Sequence, residues 1–316
     1  MSSCVTLAQE YILNIQHFGA EEGLSHRDVQ SIHQDQQDLL WLGTAYGLNR
    51  FDGYQFKWYT KEIHGLQSNR ITYIMEDAQG LLWLFDTEAN FSYEIRTVDI
   101  FDPRRERSVS FEDFFADQLP FALVDVLAFT NNGSGSLAFL TNDRQVHIYD
   151  GAWRQFAVEG HPFTVVFEIR WAENDWIWLS TDVAGQTRTQ NRMLQAFDLS
   201  GRQVQQARYD EFDALQIREL DTDGTCHYSI CKKGTNEVQL LALSPAKEPV
   251  VDNKIDNPWL EEFLKNSPFE QAWPHPYLKK GSNYLYSYGV NLILFTEDGQ
   301  ITAEQDIELS KLEDSA

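Results

Sequence analysis

"DLLWLGTAYGLNRFDGYQFKWY", residues 38–59, holds three short apolar runs separated by a glycine turn and an Asp-Gly turn. "GLLWLFDTEANFSYEI", residues 80–95, opens the same way, with Trp83 where Trp41 stood, a shift of 42 positions (83 − 41). Ahead of the first copy, "DVQSIHQD" alternates Val29, Ser31 and His33 against Gln30 and Ile32, which is the period of a strand. "LLWLGT" is almost wholly apolar, as expected of a strand covered on both faces. Gly47 supplies the positive φ of a tight turn, and Asp52-Gly53 is the strongest hairpin signal in the chain. "YQFKWYT" then reads as a last strand. Four strands on short turns within about 40 residues describe one antiparallel sheet.

The order recurs along the chain. The second unit runs "ITYIMEDAQG", "LLWLFDT", "FSYEI" and "TVDIFDP". The third runs "LVDVLAFTNNGSG", "SLAFLTN", "VHIYDG" and "AWRQFAVE". The fourth runs "TVVFEIRWAEN", "DWIWLSTD", "RMLQAFDLSG" and "RQVQQARY", with Trp178 and Thr181 repeating Trp41 and Thr44. A fifth, more worn unit reads "LQIRELDTDG", "TCHYSICKKG" and "NEVQLLALS". After a helix-like insertion, "NPWLEEFLKNSP", the sixth reads "FEQAWPHPYLKKGS", "NYLYSYG", "VNLILFTEDG" and "QITAEQDI". A single four-stranded sheet cannot bury both faces, whereas radially stacked copies can. The fold expected is therefore all-β, a β-propeller with six blades readable. Trp41, Trp83, Trp178, Phe51 and Phe101 are expected to pack between blades.

The best copy, "GLSHRDVQSIHQDQQDLLWLGTAYGLNRFDGYQFKWY", resembles the two-component regulator propeller repeat. That pattern passes from Gly-Leu-Ser through an Asp-rich turn to Trp-Leu-Gly-Thr and Gly-Leu-Asn-Arg-Phe-Asp-Gly. The second unit matches its first half, the fourth keeps Trp-Leu-Ser-Thr, and the others match in strand order only. The resemblance implies the extracytoplasmic, periplasmic-type sensor region of a hybrid histidine kinase, many of which detect carbohydrate fragments. No stretch of the chain resembles a kinase, a receiver or a DNA-binding domain.

The chain has 316 residues, 42% of them hydrophobic and 13% aromatic, enough for a large core. Its net charge of −23 disfavours nucleic acid, because binding that polymer means replacing its counterions with protein cations. No apolar run approaches the ~20 residues of a membrane span. Cys226 and Cys231 lie five apart on one expected strand, too far for a disulfide, and Cys4 is remote. The eight histidines show no metal-ligand spacing, and no nucleophile elbow or phosphate loop is present. "DTDGT", residues 221–225, reads as a hairpin turn rather than a calcium loop. The expectation is a binding module with neither catalytic residues, metal nor cofactor. The competing readings are a propeller lyase or hydrolase acting on polysaccharide, and a protein-docking scaffold.

In a propeller the loop entering each blade and the turn between its second and third strands open on one face. That face would collect residues 25–28, 45–47, 68–70, 87–90, 142–144, 182–188 and 287–289. Aromatic rings and guanidinium forks suit an oligosaccharide or other small-molecule ligand. Tyr46, Arg27, Arg70, Arg188 and Tyr288 are the candidate contacts. The opposite face, with "HQDQQD", "MEDAQG" and "WAEND", is acidic turn chemistry.

Residues 1–10 combine the small residues of a signal's tail with no apolar core, so they read as signal-like or disordered. The propeller is expected over 11–308, followed by a polar tail at 309–316. "YILNIQHF", residues 11–18, aligns with the outer strand of the first blade, so it belongs to the blade before it in the ring. Since the sixth unit has its own outer strand, a seven-bladed design with an incomplete seventh blade is expected. The rival is a six-bladed ring with an added strand. An unclosed ring would also favour self-association.

Overall fold

In the computed structural model, strands among the described residues form six antiparallel sheets, each with its strands in chain order. Those residues are 18–88, 94–159, 163–172, 175–182 and 191–210, together with the strand backbones from 212 to 306. Blade one comprises β1 (Val29–Gln34), β2 (Leu40–Thr44), β3 (Gly47–Phe51) and β4 (Phe56–Tyr59). Blade two comprises β5 (Tyr73–Glu76), β6 (Leu82–Thr87), β7 (Ile95–Asp102) and β8 (Arg107–Ser110). Blade three is β9 (Val126–Asn131), β10 (Leu137–Thr141), β11 (Gln145–Tyr149) and β12 (Trp153–Ala157). Blade four is β13 (Val166–Trp171), β14 (Trp176–Asp182), β15 (Asn191–Asp198) and β16 (Gln203–Asp210). Among the described residues, blade five has three strands, β17 (Phe212–Leu220), β18 (Cys226–Lys232) and β19 (Val238–Leu243). Blade six has four, β20 (Leu278–Lys280), β21 (Asn283–Tyr288), β22 (Asn291–Thr296) and β23 (Ile301–Asp306). The fold is a β-propeller. Cys226 and Cys231 share β18, as their spacing required.

One turn explains the repeat. The Asp35 carboxylate accepts from the backbone N–H of Gln37 and Leu39 and, at 2.7 Å, from the indole of Trp41. Asp77 does the same for Gln79, Leu81 and, at 3.1 Å, Trp83. A single buried side chain thus shapes the β1–β2 or β5–β6 turn and fixes the ring on which the next blade packs. Blade three keeps the turn through Asn132, which accepts from Ser134 and Ser136, but has Ala138 in place of the Trp. Blade four keeps Trp178 but has Ala172 in place of the acid, and the buried indole N–H of Trp178 has no partner among the described residues.

Each sheet has a leading face toward the preceding blade and a trailing face toward the next. Trp41, Leu48 and Tyr59 on the trailing face of blade one meet Ile74, Leu82, Leu84 and Phe101 on the leading face of blade two. Tyr59 and Phe101 meet edge-on, with centroids 4.9 Å apart. Trp83 lies against Phe139 and Tyr149 of blade three. Leu140, Ile148 and Phe156 of blade three meet Ile169, Leu179 and Phe197 of blade four. Of the expected inter-blade aromatics, Trp41, Trp83, Trp178 and Phe101 are buried. Phe51 is only partly buried, stacked on Phe56 and tilted against Phe18.

Blade two differs from its sequence reading. "TVDIFD" lies in the third strand, β7, and the fourth is the polar "RSVS" of β8. The Asp102 carboxylate accepts from Arg104 and Arg105 N–H and turns the chain there, so the apolar run is the covered strand rather than the edge. A helix follows, α1 (Phe111–Phe115), capped by the Ser110 hydroxyl, and its rings pack on Trp83. Residues 11–17, 257–268 and 221–225 lie outside the described residues, and so do the expectations made for them. The seven-bladed design expected from residues 11–18 rests on that same undescribed stretch.

The residue paired with the central apolar position of the second strand is polar and buried in each of blades one to four: Asn49, Asp99, His147 and Gln195. Asn49 accepts from Ser25 N–H, and Asp99 accepts from Gln67 N–H, so both tie an entry loop to the sheet. Burial raises the Asp99 carboxyl to about 6. The folded state therefore holds a proton that the unfolded chain, near 3.8, has released. This contribution is present below pH ~4 and lost as pH rises through ~6. Asp99→Asn, the residue blade one uses, keeps an acceptor for Gln67 and should raise stability by about 2–3 kcal/mol at pH 8. Denaturant titrations at pH 5 and pH 8 check it: the gain should shrink at the lower pH. By contrast, Asp77→Ala should cost about 2–4 kcal/mol at pH 7, read as a lower denaturation midpoint.

Candidate functional site

The entry face is assembled by backbone stitching. The β2–β3 turn of blade one, Thr44–Gly47, bonds its own entry loop through Ala45 N–H to Asp28 C=O. It bonds the next blade's entry loop through Ile71 N–H to Thr44 C=O, and Gly47 N–H to Asn69 C=O. Gly47 has φ 98°, and a Cβ there would lie 2.6 Å from the Tyr59 carbonyl, so no other residue suits this approach. The Thr44 hydroxyl accepts from Tyr46 N–H and lies 3.1 Å from the Ser25 hydroxyl.

Three of the five candidates sit on these joined loops: Arg27 beside Asp28, Tyr46 at the turn, and Arg70 between Asn69 and Ile71. Tyr46 is 49% exposed and Arg27 is exposed. Arg70 is different. Its guanidinium donates to Asp86 at 3.2 Å and to the Thr87 carbonyl at 2.7 Å, while Ser68 holds the other Asp86 oxygen. Asp86 is buried, so Arg70 is a positioning residue that neutralises it and fixes the end of β6. Arg188 lies outside the described residues. Tyr288 ends β21, and its side chain is likewise outside them.

Other polar groups on this face are also engaged. Asn142 donates to the Asp125 carboxylate, and Asp182 accepts from the N–H of Thr164 and Val165. Arg96 pairs with Glu88 across the end of blade two. Sequence reading missed Tyr73, which is 44% exposed on the innermost strand of blade two and edge-on to Phe129 at 5.5 Å. Its signal was the odd member of an otherwise covered strand. Among the described residues no cluster of three or more His, Cys, Asp or Glu is arranged to hold a metal ion. Among them, too, no helix is long and apolar enough to cross a membrane.

The Two component regulator propeller family model matches residues 23–46 and 65–86, stretches that contain Arg27, Tyr46 and Arg70. No curated protein matches the chain in sequence. Among solved structures, the extracellular domain of the putative hybrid two component system BT4673 from B. thetaiotaomicron is similar at TM-score 0.54 and 12% identity, over 95% of this chain and 39% of that one. The corresponding domain of BT3049 from the same organism aligns at TM-score 0.42 and 18% identity, over 90% of this chain and 41% of that one. Virginiamycin B lyase from Staphylococcus aureus, with quinupristin, is similar at TM-score 0.51 and 12% identity, over 90% of this chain and 87% of that one. The chain spans about two fifths of the length of those extracellular domains. At these identities the likeness is one of fold.

Arg70→Ala should destabilise the protein by about 1–3 kcal/mol, because it leaves the buried Asp86 carboxylate unpaired. Tyr46→Ala should leave the melting temperature unchanged within the error of a surface substitution. Paired thermal melts at pH 7 check both; an unshifted Arg70→Ala melt would remove the positioning role.

Proposed function

We propose that this chain is the ligand-binding propeller of a two-component sensor, working outside the cytoplasm and binding a small oligosaccharide without turning it over. One observation carries the reading. The two stretches that match the regulator-propeller model are the two whose entry loops are stitched together, and they carry Arg27, Tyr46 and Arg70. In this arrangement the exposed Tyr46 ring offers a stacking face for a sugar. Arg27 offers a guanidinium fork for hydroxyl or carboxylate oxygens. Arg70, held by Asp86, keeps the second loop in register with the first. The net charge of −23 favours neutral or weakly charged saccharides over highly sulfated ones.

A thermal-shift and calorimetric screen against defined oligosaccharides tests the proposal. A ligand at 100 times its Kd should stabilise the native state by about 2.7 kcal/mol. Tyr46→Ala and Arg27→Ala should each weaken that binding about tenfold or more, while chromatography finds the saccharide intact. Product formation would instead place the chain with the propeller lyases, and normal binding by both variants would move the site off this face.

A further inference from the structure

The outer mouth of the cleft between blades one and two is basic, in a chain whose net charge is −23. On the trailing face of blade one, Arg50 of β3 pairs directly with Lys57 of β4, so both side chains project toward blade two. The Arg50 guanidinium lies over the Trp41 ring, 6.0 Å from its centroid, and the Lys57 ammonium lies over Tyr59 at 5.5 Å. Across the cleft, the chain between β7 and β8 brings Arg105, Glu106 and Arg107 of blade two. Arg107 donates to the Ile63 carbonyl at 2.7 Å. Burial lowers the neighbouring His64 imidazole, and the charges of Glu106, Arg107 and Lys57 all act on it, which gathers the three around one ring.

A single oxygen stands at the centre of this group. Glu106 Oε1 accepts from Lys57 and, at 3.1 Å, from the Tyr59 hydroxyl, while Arg50 Nη1 lies 3.8 Å away. Burial raises the Tyr59 phenol, so it stays protonated and donating. The turn does not need the Glu106 carboxylate. Asp102 shapes it, accepting from the N–H of Arg104 and Arg105 on its side chain and from Glu106 N–H on its carbonyl. Lys57, Glu106 and Arg50 are 46%, 33% and 28% exposed, and ion pairs in such contact with water exchange readily. The charges are also unequal. Arg105 is matched by Asp102, and Glu62 on the adjoining turn is held by Asn69. Arg50, Lys57 and Arg107 therefore share one carboxylate, and a dianion in its place would match them better.

We propose that this cleft is a binding site for a doubly charged tetrahedral oxyanion, a sulfate or phosphate group, which takes the place of the Glu106 carboxylate among Lys57, Arg50, Arg107 and the Tyr59 hydroxyl. Glu106 is then a built-in competitor, filling the site with one negative charge until the ligand displaces it. The site is made by the outer strands and does not depend on what the entry loops bind.

Calorimetric titration of the whole chain at pH 8 with sodium sulfate and sodium phosphate, against sodium chloride at matched ionic strength, tests the proposal. Glu106→Gln keeps an oxygen for Lys57 and Tyr59 but removes the competing charge, and should bind either dianion about tenfold more tightly than the wild type. Lys57→Gln and Arg107→Gln, shown by their melts to be folded, should each bind at least about tenfold more weakly. Arg27→Ala and Tyr46→Ala should bind the dianions as the wild type does, which separates this site from the entry face. Glycerol 3-phosphate distinguishes the sources: tighter binding than inorganic phosphate assigns the site to an esterified group, weaker binding to the free ion, and either ranking supports it. Equal binding by the wild type, Glu106→Gln and both cation variants would mean an adventitious ion only and overturns the proposal. So does the absence of detectable binding to Glu106→Gln.

Discussion

The carboxylate that grips a turn and an indole together is the constraint on which blades one and two depend. Asp35 and Asp77 each fix a turn and hold the indole N–H of a Trp ring on the same sheet. The ring then becomes the surface over which the next blade is laid, as Trp83 is for Phe139 and Tyr149. Two separate jobs, turn geometry and inter-blade packing, therefore rest on one side chain. Blades three and four show what happens when the jobs separate. Asn132 retains the turn without an indole, and Trp178 retains the indole without an acceptor. The turn in blade four survives on backbone bonds between Ala172 and both Trp176 and Asp175, with Asp175 at φ 63°. An unpartnered buried N–H is a standing cost, and blade four carries it where blades one and two have the Asp–Trp bond.

Much of this was legible because a propeller repeats its reasons. The 42-residue shift between Trp41 and Trp83, the Asp-Gly hairpin and the alternation in β1 each reflect a local rule, and each blade restates it. Reading failed where tertiary cover overrode the local pattern. "RSVS" has too little apolar character to announce an edge strand, and "TVDIFD" reads as one because nothing in it says that another strand lies beyond. The candidate site was half legible in its placement. Loop positions followed from topology, and the structure joins the loops of Arg27, Tyr46 and Arg70. The role of Arg70 did not follow, since its partner Asp86 is 16 residues away and becomes a neighbour only once β6 is in register.

The entry face is economical with its polar groups. Ser25, Ser68, Arg70, Asn142, Thr164 and Asp182 spend their hydrogen bonds on the scaffold, joining loops to the ends of second strands. Among the described residues of this face, Tyr46 and Arg27 remain outward. A rigid rim with few free groups suits recognition without rearrangement, because little conformational freedom is left to lose on binding.

Beneath that rim, the buried polar position occupied by Asn49, Asp99, His147 and Gln195 sets how the scaffold responds to acidity. Burial raises Asp99 to about 6, and it also lowers His147, whose ring faces Phe121 at 4.9 Å. Both groups thus prefer to be neutral in the folded state, but their consequences have opposite sign. Asp99 contributes stability that is lost as pH rises through ~6, because the unfolded carboxylate ionises more readily. His147 contributes stability that is present above its unfolded value near 6.5 and lost as pH falls through its lower folded value. One position in the repeat, filled by an acid in blade two and a base in blade three, therefore bounds the stable range from both sides. Blades one and four, with neutral amides at that position, contribute no such slope. At this one position, the pH response lies in blades two and three.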